Sequence, residues 1–128
     1  MSKPFIRETK GFSLVELAII VLITGIIASI SIPLYLGYRK KAITIEASTN
    51  LIALYRYEIN YFAEHDEFAS DLSALGFFPQ SNKYYEYEIT ESSQTGFTAR
   101  ASANIDNDPV LDVWTLNDSQ VLIHATKD

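Results

Sequence analysis

GFSLVELAIIVLITGIIASISIPLYLGY, residues Gly11 to Tyr38, is the stretch that decides the fold. From Leu17 to Tyr38 it runs 22 residues without a formal charge, about 33 Å of helix at ~1.5 Å per residue. That length crosses a bilayer. A soluble core helix so apolar on every side needs apolar partners all round, and a chain of 128 residues leaves too short a remainder to supply them. One residue resists the membrane reading. Glu16 stands at the start of the run, and on insertion scales an acidic residue costs roughly 2.5–3.5 kcal/mol at a helix centre and less towards the ends.

The flanks offer three ways to read the segment. Lys3, Arg7 and Lys10 against Glu8 give residues 1–11 a balance of +2, within a chain of net charge −6. A cleaved signal peptide would use that basic leader and a small-residue site near Ala28–Ser31. Glu16, and a run that continues through Pro33-Leu34-Tyr35-Leu36, oppose it. A plain membrane anchor explains the length but gives neither Glu16 nor the leader a role. Arg39-Lys40-Lys41 after the span also leaves its orientation ambiguous by charge.

The third reading uses more residues. Gly11-Phe12-Ser13-Leu14-Val15-Glu16 resembles the processing site of type IV prepilins and the related pseudopilins. The resemblance implies cleavage by a prepilin peptidase after Gly11, N-methylation of the new N-terminal Phe12, and a role for Glu16 in assembly. Gly25 and Pro33 also fall where family helices carry glycine and proline. Their chemistry marks Gly25–Pro33 as the segment most prone to bend, since glycine is a weak helix former and proline lacks an amide hydrogen. Cleavage would create an ammonium four residues from Glu16. In a filament core of stacked apolar helices, one subunit's amine could then pair with another's carboxylate, an attraction strengthened by low dielectric. The competing expectation is that Glu16 merely snorkels to the membrane interface.

Beyond the span the pattern becomes one-sided. Ala47, Leu51, Tyr55, Ile59 and Phe62, at steps of 4, 4, 4 and 3, predict a single apolar stripe on a helix ending by His65-Asp66-Glu67. Asp71–Gly76 reads as a short helix or turn, capped by Asp71 or Ser70 and ended by Gly76, and Gln80-Ser81-Asn82 as a loop. Alternation of Tyr85, Tyr87 and Ile89, then of Phe97, Ala99, Ala101 and Ala103, predicts two half-buried strands. Val110–Leu116 and Val121–Ala125 supply two more. The expected fold class is α+β: a long N-terminal helix, hydrophobic in its first half, packed by its second half on a small antiparallel sheet. The expected division is a leader at 1–11, a transmembrane or filament-core helix at 12–38, an amphipathic continuation at 39–65 and a β-rich head at 66–128. The order and spacing of Asn50–Ile59, Asp71–Phe78 and Tyr84–Ile89 resemble the pilins of gliding and predatory deltaproteobacteria. Many type IV pilins close a C-terminal loop with a disulfide; this chain has no cysteine to make one.

Asn104–Asp112 gathers Asp106, Asp108 and Asp112 within seven residues. Hard cations such as calcium take six to eight oxygen ligands, so these aspartates are candidate calcium ligands. The loop lacks the sixth-position glycine and terminal glutamate of an EF-hand. The resemblance to major pseudopilins, where similar loops bind calcium, adds support; a solvated turn rich in Asp and Asn stands beside it.

No motif for nucleophilic, phosphate-binding or zinc chemistry appears, and His65 and His124 lack the spacing of a metal pair. No enzyme activity is expected. Without a basic excess, no direct binding of nucleic acid is expected either. The resemblance implies a structural subunit of a type IV pilus-like filament serving attachment, motility or uptake. Its implied partners are copies of itself in a helical homopolymer, the prepilin peptidase, an inner-membrane assembly platform and the membrane. Its implied location is the bacterial inner membrane as precursor, then an extracellular or periplasm-spanning filament. Two alternatives stay open: a pseudopilin of a type II secretion system, and a membrane-anchored binding module that never polymerises.

Overall fold

A computed structural model describes Ser2, Pro4, residues 10–80 and residues 82–128. Lys3, Arg7 and Glu8 of the leader, and Ser81 of the expected loop, lie outside the described residues. The chain divides into two compact units, Met1–Gly37 and Tyr38–Asp128.

Helix α1 spans Leu14–His65 and stays helical through Gly25 and Pro33. Proline at position 33 removes the N–H that would bond the carbonyl four residues back. The most apolar stretch of α1 has no buried residue. Two hydroxyls inside it are satisfied locally: Thr24 Oγ1 donates to the Ile20 carbonyl at 2.7 Å and Ser29 Oγ to the Ile26 carbonyl at 2.7 Å.

The second unit builds a core on the later turns of α1. Its buried residues there are Ile43, Ala47, Asn50, Leu51, Leu54 and Glu58. The expected stripe is thus corrected in its C-terminal half, since Ile59 is exposed and Tyr55 only partly buried. Each step of four residues advances about 40° beyond a full turn. Three such steps carry Ile59 off the face that Ala47 occupies, whereas the buried set inserts steps of three and stays in line.

Strands β1 (Glu86–Ser92), β2 (Phe97–Ala103), β3 (Asp112–Asn117) and β4 (Leu122–Thr126) form one antiparallel meander in the order β1-β2-β3-β4. In β2, Phe97, Ala99, Ala101 and Ala103 face the core, and the small alanines let helix and sheet approach. Register shifts at Ile89/Glu91 and Val113/Trp114 mark bulges in the outer pairings. Tyr85, expected inside β1, is buried one residue before it. Full burial of Leu51, Leu54 and Leu116 contributes about 1.5–3 kcal/mol for each relative to exposure.

Polar staples fix the sheet to the helix. The amides of Tyr84 and Tyr85 each donate to Glu46 Oε1 at 3.3 Å. Tyr87 donates its hydroxyl to the Glu46 carbonyl at 3.2 Å and accepts from Asn50 Nδ2 at 2.9 Å. Burial, with the nearby Glu46 charge adding to it, pushes the Tyr87 phenol up to about 12. Helix α2 (Leu72–Leu75) is capped by Asp71, which accepts from the Ala74 amide at 2.7 Å, and closed by Gly76 at φ +64°.

Candidate functional site

The junction of the leader and α1 is built by Ser13. Its hydroxyl oxygen accepts from the Glu16 amide at 3.2 Å, and its amide donates to Glu16 Oε2 at 3.0 Å. Its carbonyl accepts from the Leu17 amide at 3.1 Å. This is a reciprocal capping box, which satisfies donors that the first helical turn leaves without partners. Gly11 and Phe12 precede the helix in irregular, exposed backbone, with Phe12 80% exposed. Sequence reasoning valued Glu16 for its charge and missed Ser13. The signal was present, because Ser-x-x-Glu before an apolar run is itself a helix-start signature. The capping box also answers half of the cost of Glu16: one carboxylate oxygen already has a donor. Gly25 and Pro33 lie within α1, and nothing stands within 4 Å of where a Gly25 Cβ would be.

The three aspartates of the acidic loop do not stay together. Asp106 and Asp108 cluster with Asp128, with ligand-capable atoms all within 4.8 Å of one another. Asp112 opens β3, and the strand's alternation turns its side chain into the core at 1% exposure. There its Oδ2 accepts from the Tyr85 hydroxyl and from Trp114 Nε1 at 2.9 Å. Its Oδ1 meets His124 Nε2 and accepts from the Asp128 amide at 3.3 Å. Burial works against the Asp112 charge, but the bonds from Tyr85 and His124 prevail and hold its pKa below the ordinary aspartate value. The same burial, with the Asp112 carboxylate beside it, pushes the Tyr85 phenol far up. His124 stacks on Trp114, ring centroids 4.1 Å apart.

Asp112 is therefore corrected from candidate ligand to structural hub, and Asp128 takes its place in the cluster. The cluster already has a cation. Lys40 Nζ lies 3.1 Å from Asp106 Oδ2 and 3.4 Å from the Asp128 carbonyl oxygen. The hydrogen bond to Asp106 raises the Lys40 pKa. The oxygen-rich donor set suits a hard cation, which would compete there with the Lys40 ammonium.

A third polar feature escaped sequence reasoning altogether. Glu58 is wholly buried on α1, where Oε2 accepts from the Ala69 amide at 2.9 Å. Oε1 has no hydrogen-bond partner among the described residues. Burial raises its pKa, with the Ala69 bond working against the rise. No hydropathy pattern distinguishes this glutamate from an exposed one. His65 stacks on Tyr61, with ring centroids 4.0 Å apart.

The chain is 35% identical over 89 residues to the type IV major pilin protein PilA of Myxococcus xanthus, a match covering 70% of this chain and 40% of that protein. It is 42% identical over 48 residues to the type II secretion system core protein G of Vibrio cholerae, covering 38% of this chain and 33% of that protein. The chain thus spans well under two thirds of the length of these relatives. The fold matches the crystal structure of the Neisseria meningitidis non-core minor pilin PilV with a TM-score of 0.57 at 22% identity, over 71% of this chain and 91% of that one. No family model matches the chain. An apolar, uncovered N-terminal helix joined to an antiparallel meander defines the pilin-like class of subunit. In sequence and in fold the chain is similar to the type IV pilins and the related pseudopilins.

Proposed function

We propose that this chain is a structural subunit of a type IV pilus-like filament. It is processed between Gly11 and Phe12, held in the inner membrane by α1, and polymerised with copies of itself through that helix. The observation that carries this reading is an apolar helix that buries none of its most apolar stretch in the monomer yet begins with a carboxylate. A lipid-facing anchor uses the carboxylate only as a cap for the helix start and leaves its charge unpaired. A stack of helices pairs that charge, because each cleaved Phe12 brings an ammonium to meet it. Prepilin peptidase and a membrane assembly platform are the partners this requires, and an extracellular or periplasm-spanning filament is the destination. The subunit's contribution is mechanical rather than catalytic.

The test is mass spectrometry of the N-terminus in a peptidase-competent strain, combined with recovery of sheared filaments. Loss of eleven residues, a methylated Phe12 and presence of the chain in filaments are expected. An untrimmed chain sinks the reading. The relation to a type II secretion core protein favours one second reading, a pseudopilin. Normal trimming with no surface filament would select it, or a minor pilin.

A further inference from the structure

Where the apolar span of α1 ends, three consecutive basic residues behave differently. Lys40 folds onto the acidic cluster, its ammonium 3.1 Å from Asp106. Arg39 and Lys41 are exposed, and neither charged side-chain group has a hydrogen-bond or ion-pair partner among the described residues; only the Lys41 backbone carbonyl accepts a side-chain bond, from Thr44 Oγ1 at 2.8 Å. Tyr38, 67% exposed, shares a helix face with Lys41 three residues on. The rest of the second unit has the opposite sign: residues 42–128 carry four basic and fourteen acidic side chains, a balance of −10.

We propose that Tyr38, Arg39 and Lys41 form a collar that binds the phosphate headgroups of anionic phospholipids while the subunit waits in the membrane. The inference rests on the membrane-held reading given above. The collar follows the uncharged span directly in sequence, at the depth where a bilayer presents its headgroups. Tyrosine is the residue type that sits at that level, with an apolar ring and a wet hydroxyl. A head this acidic is repelled by an anionic surface, and the repulsion falls off within about 8 Å at physiological salt. The side chains that offset it must therefore lie at the surface itself, as Arg39 and Lys41 do. Lys40 is excluded from the collar because Asp106 and Asp128 hold it.

The full-length chain in phosphatidylcholine vesicles, probed with spin-labelled phosphatidylglycerol and spin-labelled phosphatidylcholine, tests this. A several-fold preference for the anionic tracer is expected, up to about fivefold for each basic side chain, and added salt should weaken it. Arg39→Gln/Lys41→Gln should bring the two tracers to parity, and Lys40→Gln should leave the preference in place. Equal association of both tracers with the native chain overturns the proposal, as does a preference that survives the double substitution. Absence of lipid preference combined with loss of filaments in the double variant would instead assign the collar to the acidic head of a second copy. A chain that alkaline carbonate strips from the vesicles would overturn the membrane-held reading itself, which the tracer result alone leaves standing.

Discussion

Two buried carboxylates illustrate how similar groups acquire opposite energetics from their partners. Asp112 receives donors from Tyr85, Trp114, His124 and the Asp128 backbone, and so stays charged inside the head. Its folded pKa lies below the ordinary value of 3.8, so its stabilisation is full above pH 3.8 and is lost as pH falls through the lowered value. Asp112→Asn should cost about 2–4 kcal/mol, read by denaturant unfolding of the full chain in micelles through Trp114 fluorescence. An unchanged midpoint would remove the hub. Glu58 has one donor and one orphan oxygen. Its folded pKa is raised, so the protonated form is favoured by folding and stability falls as pH rises from the ordinary value of 4.5 through the raised one. Glu58→Gln keeps an acceptor for the Ala69 amide without a charge to bury. It should raise stability at neutral pH by roughly 1 kcal/mol and flatten the pH dependence; a lower melting temperature at pH 7 would contradict the assignment.

At the scale of elements, the start of α1 and the acidic loop make separate predictions. Ser13→Ala removes the hydroxyl acceptor at the helix start and should cost about 1 kcal/mol of local stability. Hydrogen exchange at the amides of residues 14–17 in micelles should speed up, with Ser13→Thr close to native. Equal exchange in all three chains would mean that the cap is idle. In the loop, Lys40 competes with any added cation for Asp106. Calcium binding, followed by isothermal titration of the full chain, should therefore be tighter in Lys40→Met than in the native sequence. Weaker binding in the variant would show that Lys40 orders the loop rather than competing for it.

For the whole molecule, the capping box separates two functions of Glu16 that are easily confused. Glutamine at the same position keeps a side-chain acceptor for the Ser13 amide but cannot pair with an ammonium. Glu16→Gln should therefore be trimmed normally with an intact helix start, yet be absent from sheared filaments. Recovery of native amounts of filament would reduce Glu16 to a cap. The head meets a different demand. With no cysteine to close a C-terminal loop, Asp112 gathers the approach to β1, the strands β3 and β4, and the last residue by hydrogen bonds alone. Much of this architecture was legible beforehand: an uninterrupted apolar run, period-two alternation in β2 and the caps of α2 are local signals, written in residues that meet their neighbours in sequence. They determined the long helix, the small antiparallel head and an apolar first stretch of α1 in which no residue is buried. The tertiary structure decided which polar groups go inside. Asp112 and Asp108 are chemically alike and four residues apart, and Asp128 is sixteen residues from the Asp112 carboxylate that its amide reaches. Whether a carboxylate becomes a hub, a surface charge or a buried acid depends on donors brought from distant strands, and sequence separation does not encode that convergence.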